Sequence, residues 1–241
     1  RWKAPLHLVQ VVAPEYYWER GEAALFANGE WLSGRQQSVA YLESVADAIA
    51  AANDIPVTAE VVSNISVESG LSSLCADVGR LLIVAKPQRS SFSQIYLGST
   101  TNSLVGQLTI PMLIVPTESS HVDPDTTDYQ RVLVAVGHGD VSESVLNTAV
   151  VFASDVAAYR LLHVFPARVQ MTIARTGRFL PVNLRQEAMA RIHRAEAWLR
   201  GQKIAATSLL LDDWRYSPAQ AILAHGDSLG ADLIVVGTRR R

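Results

Sequence analysis

The stretch LLIVAKPQRSSFSQIYLGSTTNSL (81–104) joins a short apolar strand to a polar loop, and then to a helix that opens at Gly98-Ser99-Thr100. Many α/β proteins hold a phosphate at such a junction, because the free N–H groups of a helix N-terminus attract anions. The stretch contains one glycine, whereas a loop that wraps a phosphate needs several positions without a Cβ. Three alternatives follow: a nucleotide site, a degraded nucleotide site, or a turn.

Short apolar segments alternate with longer segments of helical period, which predicts βα units and a mostly parallel sheet. We expect strands near 6–12, 56–62, 80–85, 111–115, 130–136, 159–165, 204–211 and 232–237. We expect helices near 35–53, 66–78, 99–107, 141–157, 183–202 and 217–229. Ser217-Pro218 is a typical start for the last helix, because serine caps an N-terminus and proline suits the first turn.

The second half of the chain repeats the first. LVQVVAP (8–14) aligns with LLHVFPA (161–167), and LLIVAKPQR (81–89) aligns with LIVVGTRRR (233–241). The two alignments are displaced by 153 and 152 residues, and this agreement between distant segments indicates a duplicated domain of about 150 residues. We predict a first domain at 1–116, a polar linker at 117–128 and a second domain at 129–241.

Each half also lacks elements that the other half contains. The strand and helix that open the second half at QRVLVAV (130–136) have no counterpart in the first. The helix and strand of GSTTNSLVGQLTIPMLIVP (98–116) have no counterpart in the second. In a doubly wound sheet the first strand is central, and its removal leaves buried backbone groups unpaired. We therefore expect the native polypeptide to be longer at both ends.

Composition excludes several classes of function. Apolar residues make up 49% of the chain and charged residues 18%, which predicts a packed core. The net charge of −2 provides no basic field for nucleic acid. No apolar run approaches the ~18 residues that insert across a bilayer. Cys75 is the only cysteine, so no internal disulfide forms, and we expect a buried thiol in a reducing, cytoplasmic compartment.

Other chemistry-bearing residues form no catalytic or metal site in the sequence. His138 has no partners at metal-ligand spacing, and we interpret it as a loop residue. His163 falls in a buried strand and His193 on a charged helix, which predicts a core imidazole and a solvated one. The insertions at 16–34 and 169–182 differ most between the halves, and we expect them to determine what is specific to this protein.

Several stretches resemble the universal stress protein family in its tandem two-domain form. YQRVLVAVGHGDVSESVLNTAVVFA (129–153) is similar to the family's opening strand and helix, and LLHVFP (161–166) to its second strand. GADLIVVGTR (230–239) is similar to its fourth strand, and LGSTTNSLVGQLTIPMLIVP (97–116) to its closing helix and fifth strand. The resemblance implies two Rossmann-like (adenine nucleotide alpha hydrolase-like) α/β domains. Each is a parallel sheet of order 3-2-1-4-5 sandwiched by helices.

The family members that bind ATP carry a glycine, two residues, a second glycine, nine residues, and a third glycine followed by Ser or Thr. This chain keeps the spacing of the motif, with Gly98 and Ser99 at its end. Ala85 and Gln88 replace the first two glycines. Gln88 places a long side chain where the backbone meets phosphate, and the proline before it lacks an N–H group. The helix N-terminus, in contrast, keeps its free amides.

The resemblance implies a nucleotide site in the first domain. Phosphate is held by Gly98, Ser99 and Thr100, with help from Arg89, and the base meets the backbone near Val11. The sequence leaves two alternatives, a tolerant site for ATP with Mg²⁺ and a cleft that keeps the spacing without this ligand.

The second domain departs from the family pattern at other positions. The resemblance implies that Gly137, Val164 and Gly237 are the nucleotide-site positions of this domain. ATP-binding members have an acidic residue where Gly137 stands, and we interpret Asp140 as the N-cap of the next helix. Gly237 matches the first glycine of the motif, and Arg240 replaces the second.

The resemblance implies a cytoplasmic, non-catalytic stress-response or regulatory protein that binds an adenine nucleotide or another small ligand. Family domains pair through their fifth strands, which implies a homodimer or an internal pseudo-dimer. One alternative is a nucleotide hydrolase of the same fold, which needs a carboxylate or metal site near Ser99. Another is the cytosolic regulatory module of a larger protein such as a transporter.

Overall fold

The computed structural model describes residues 4–12, 30–77, 79–86, 98–116, 129–137, 143–165, 182–211 and 217–238. The chain divides into two compact units, unit 1 (Arg1–His121) and unit 2 (Val122–Arg239). The domain bounds 1–116 and 129–241 stay a prediction, and the predicted linker 117–128 lies outside the described residues.

Unit 1 consists, in its described part, of two parallel strand pairs and three helices. Its elements are β1 (Leu6–Val12), α1 (Glu30–Asn53), β2 (Val57–Ser63), α2 (Val67–Asp77), β3 (Leu82–Lys86), α3 (Ser99–Gln107) and β4 (Met112–Pro116). β1 pairs with β2, and β3 pairs with β4. The described residues thus form two separate two-stranded sheets in this unit.

Unit 2 contains a four-stranded parallel sheet. Its elements are β5 (Tyr129–Ala135), α4 (Glu143–Phe152), β6 (Ala153–Val164), α5 (Val182–Gly201), β7 (Ala206–Leu211), α6 (Pro218–Leu229) and β8 (Leu233–Val236). The strand order is β7-β6-β5-β8. Val132, Leu133 and Val134 of the central strand are at most 2% exposed, which agrees with the apolar run VLVAV at 132–136.

The α/β fold with parallel strands is confirmed, whereas the complete strand order is not shown. Numbered within its own unit, the sheet of unit 2 has the order 3-2-1-4. The described part of unit 1 has no strand between β1 and β3, the place that β5 takes between β6 and β8. The five-strand order 3-2-1-4-5 therefore stays a prediction.

Three predicted element boundaries differ from the structure by five or six residues, and the first is the start of α1, expected at 35 and found at Glu30. The helix expected over 141–157 ends at Phe152, and β6 begins at Ala153. Ala153 pairs with Tyr129, and the register then shifts, so that Arg131 pairs with Ala158. Pairing with a strand distant in sequence overrides the helical period of this segment.

The structure confirms the predicted start of the last helix, α6, at Ser217-Pro218. The Oγ of Ser217 accepts a hydrogen bond from the N–H of Gln220 at 3.3 Å, and the Oε1 of Gln220 accepts one from the N–H of Ser217 at 3.0 Å. This reciprocal pair is a capping box, with Pro218 in the first turn. The helix ends at Gly230, whose φ of +60° is left-handed and favours glycine.

Candidate functional site

In unit 2 the carboxyl ends of β5, β6 and β8 meet at one edge of the sheet. Ala135 pairs with both Leu162 and Val236. The three residues carried over from the family pattern, Gly137, Val164 and Gly237, follow or end these strands. The structure therefore brings the three together, at the edge where open α/β sheets bind ligands.

His163 joins two of these strand ends. Its side chain is 1% exposed, and its Nδ1 lies 2.7 Å from the carbonyl oxygen of Val136. The ring also packs edge-to-face on Phe165, with the ring centroids 5.4 Å apart. The predicted core imidazole is confirmed, and its position immediately beside the candidate edge is a further finding of the structure.

The candidate edge of unit 2 is open to solvent at its two glycines. Gly137 and Gly237 are exposed. A Cβ added to Gly237 would lie 3.2 Å from the Cγ2 of Val145 in α4, so a larger residue there needs a small shift of that side chain. Asp140 and Arg240, for which the sequence suggests roles, lie outside the described residues.

In unit 1 the N-terminus of α3 is open. Gly98 is its N-cap residue, and no side chain forms a capping hydrogen bond there. Among the described residues, no atom lies within 4 Å of a Cβ added to Gly98, and Ser99 is exposed. The part of the chain that the structure describes therefore leaves this helix end without a side-chain cap and with open space beside it.

Glu68, in the first turn of α2, is a carboxylate that the sequence patterns did not indicate. The hydroxyls of Thr100 and Ser66 interact with this carboxyl and help to lower its pKa. The backbone N–H of Glu68 is the largest cause that lowers the pKa of this carboxyl, and the two hydroxyls add to it. Glu68 therefore carries its negative charge at neutral pH.

The same helix α2 also contacts the predicted base-binding strand. A Cβ added to Gly70 would lie 2.7 Å from the Cγ1 of Val11, so only glycine allows this approach of α2 to β1. The side chain of Val11 thus packs against α2, within one helical turn of Glu68. Two predicted site residues, Val11 and Thr100, converge on the N-terminal part of α2.

A polar groove of about 320 Å³ lies between α2 and α3. It is lined by Glu68, Gln107 and serines of both helices and the turn before α2. Solvent therefore reaches the Glu68 carboxylate. Of the remaining predicted residues, Ala85 is exposed near the end of β3, and Gln88 and Arg89 lie outside the described residues.

The sequence also contains a G-x-S-x-G spacing, GDSLG (226–230), which marks the nucleophile of many hydrolases. That motif requires a sharp turn between a strand and a helix. Here it forms the last turn of α6, and the Oγ of Ser228 donates to the carbonyl oxygen of His225 at 2.9 Å. The motif is a helix C-terminus, so it provides no activated nucleophile.

Other predicted assignments can be compared with the structure. Cys75 is buried, as expected, and burial raises the pKa of its thiol. His193 is exposed on α5, as expected, and His138 lies outside the described residues.

Within the ranges that the structure describes, His, Cys, Asp and Glu side chains form no group of three that could hold a metal ion. Among those same ranges, no helix has the length and apolar character to cross a membrane.

Comparisons with known proteins agree with this architecture. A universal stress protein from Archaeoglobus fulgidus DSM 4304 is 18% identical, with a TM-score of 0.60 over 97% of this chain and 74% of that chain. A protein described as functionally unknown, from Pseudomonas aeruginosa PAO1, is 16% identical, with a TM-score of 0.50 over 99% of this chain and 73% of that chain. At such identities the likeness shows the fold alone. No curated protein matches the chain.

A parallel sheet covered by helices, with strand ends gathered at one edge, defines the class of Rossmann-like α/β proteins. Within that class, the model of the Universal stress protein family matches residues 128–241. This part of the chain belongs to the universal stress protein family.

Proposed function

We propose that the chain is a tandem universal stress protein, in which unit 1 is a second, divergent domain of the family. Its role is non-catalytic and regulatory, in the cytoplasm. It binds an adenine nucleotide, with Mg²⁺ on the phosphates, at the N-terminus of α3 in unit 1. An internal pseudo-dimer of the two domains, or a homodimer, is part of this proposal.

The observation that carries the proposal is the open N-terminus of α3. Gly98 leaves it without a side-chain cap, Ser99 is exposed, and no atom of the described residues lies within 4 Å of a Cβ placed on Gly98. An uncapped helix N-terminus after a parallel strand suits a phosphate, since its amides and its dipole both favour negative charge. The internal repeat of the sequence supports the tandem form.

Calorimetric titration of ATP with Mg²⁺ into the full chain tests the proposal. We expect saturable binding, which the double variant Gly98→Arg, Ser99→Glu abolishes. The arginine fills the open space and the glutamate repels phosphate, while a glutamate in the first turn does not weaken the helix itself.

The variant Gly106→Arg, Gln107→Glu is the matched control. It introduces the same two side chains near the other end of α3, where no atom of the described residues lies within 4 Å of a Cβ added to Gly106. We expect it to bind ATP as the unmodified protein does. The absence of heat with the unmodified protein across millimolar ATP contradicts the proposal, as does equal binding by both double variants. Release of phosphate from the bound ATP at a catalytic rate contradicts the non-catalytic role.

A further inference from the structure

The strands β2 and β7 each pair on one side in the part of the chain that the structure describes. β2 pairs with β1 in unit 1, and β7 pairs with β6 in unit 2. Helix α1 packs on β2, and helix α5 packs on β7. The unpaired side of such a strand presents backbone N–H and C=O groups with which a further strand can pair.

β2 and β7 hold equivalent places in the internal repeat. Each strand is preceded by a residue with a left-handed backbone, Asp54 with a φ of +51° and Lys203 with a φ of +63°. The strands then begin at Val57 and Ala206. Both pairs of positions are displaced by 149 residues. The two units therefore present the same edge of the fold.

These equivalent edges carry opposite charge. Residues 35–63, which run from α1 to the end of β2, include four carboxylates and one arginine. Residues 184–211, which run from α5 to the end of β7, include five Lys and Arg residues and two carboxylates. The two left-handed residues themselves, Asp54 and Lys203, differ in sign. The net charge of the chain conceals this asymmetry, because the two edges compensate each other.

The charged side chains at both edges reach solvent. We define the acidic surface as Glu43, Asp47 and Asp54, all exposed, together with the unpaired edge of β2. Glu43 and Asp47 are four residues apart on α1 and therefore share one helix face. We define the basic surface as Arg200 and Lys203, also exposed, together with the unpaired edge of β7.

The basic surface contains a groove of about 340 Å³. Arg200 and Lys203 line it together with Glu196 and residues 204–206, so the two cations lie beside the start of β7. Glu196 is half-buried, whereas both cations are exposed. A carboxylate that approaches this end of β7 therefore meets positive charge.

We propose that the acidic surface of one copy of this chain binds the basic surface of a second copy. The unpaired edges of β2 and β7 supply hydrogen bonds, and the opposite charges select this pairing, because two like surfaces repel each other. Each copy carries both surfaces, so two contacts close a dimer, and single contacts add further copies. Both strands hold the third position of their sheets, so this contact is distinct from pairing through fifth strands. The inference does not depend on nucleotide binding.

Sedimentation velocity of the full chain without nucleotide measures this association. We expect particles of at least twice the mass of one chain at about 0.05 M salt. At about 1 M salt, where the Debye length is only ~3 Å, we expect the affinity between copies to fall on the order of tenfold or more.

Two charge-reversal variants test which surfaces meet. Glu43→Lys, Asp47→Lys makes both surfaces of a copy basic, and Arg200→Glu, Lys203→Glu makes both acidic. We expect each variant alone to be monomeric at low salt. An equimolar mixture is expected to associate as the unmodified chain does, because each surface then finds an oppositely charged surface on the other variant. Recovery in the mixture requires both variants to be folded, and thermal melts establish this separately.

Asp77→Lys, Asp227→Lys is the matched control. It changes the net charge by the same amount as the first reversal variant, at exposed residues of α2 and α6 outside both surfaces. We expect it to associate as the unmodified chain does. A monomeric unmodified chain at low salt overturns the inference, as does association of either reversal variant alone. A mixture that stays monomeric contradicts it as well, and a monomeric control means that net charge alone governs association. None of these outcomes bears on the titration with ATP, so the proposed function stands or fails separately.

Discussion

At the scale of single residues, His225 is a source of pH dependence within unit 2. Burial lowers the pKa of this histidine below its ordinary value of 6.5, and the charge of Arg160 lowers it further. Its buried Nε2 makes no hydrogen bond within the described structure. The folded protein therefore keeps His225 neutral at a pH where the unfolded chain already binds a proton.

The difference between the pKa of His225 in the folded and in the unfolded state determines how stability changes with pH. The unfolded state binds more protons below about pH 6.5, so the free energy of unfolding falls as the pH decreases through that value toward the lower pKa of the folded state. We expect His225→Leu to flatten this slope in urea denaturation measured between pH 7 and pH 5. Arg160→Met, which removes only the second cause, is expected to flatten it in part. Identical slopes for His225→Leu and the unmodified chain contradict this assignment.

At the scale of elements, Asp232 fixes the start of the central strand β5. Its two carboxylate oxygens accept hydrogen bonds from the N–H groups of Gln130 and Arg131, both at 2.9 Å. The N–H of Asp232 donates to the carbonyl oxygen of Arg131 at 3.1 Å. Position 232 aligns with Arg80 in the internal repeat, and an arginine side chain cannot accept these bonds. The two units thus differ at the amino edge of their sheets.

We expect Asp232→Ala to destabilise unit 2 by about 1 kcal/mol, because two backbone N–H groups near the surface lose their protein acceptors and are only partly compensated by water. Asp232→Asn keeps one oxygen and serves as the graded control, with a smaller loss. Urea denaturation at neutral pH measures both. An equal stability of the alanine variant and the unmodified chain shows that solvent replaces the carboxylate in full.

The elements that sequence alone predicted well are those with strong local signals. Apart from the start of β6, the apolar β-branched strands agree with the structure to within a few residues, and so does the cap at Ser217-Pro218. The end of α4 could not be predicted, because the pairing of Ala153 with Tyr129 is a long-range contact that no local pattern indicates. Glu68 was missed for a similar reason, since its partner Thr100 is distant in sequence and only the packing of α2 beside α3 brings them together.

At the scale of the whole molecule, the two units differ in how their sheets are completed. In unit 2 the strand β5 pairs on both sides and its side chains are buried. In the described part of unit 1, β1 and β3 each pair on one side, and Ile83 of β3 is 52% exposed. Two-stranded sheets have little stability of their own, so unit 1 depends more on the packing of its helices.

This difference predicts an order of local stability that hydrogen–deuterium exchange can measure on the full chain. We expect the amides of β5 and the paired part of β6 to exchange most slowly, because their opening requires the disruption of the buried sheet of unit 2. The amides of β1 and β3 are expected to exchange at least tenfold faster, since each strand opens by losing a single neighbour. The helices α2 and α3 serve as an internal reference for unit 1. Equal protection of β1, β3 and β5 contradicts the prediction, because it requires a second partner for the strands of unit 1 in solution.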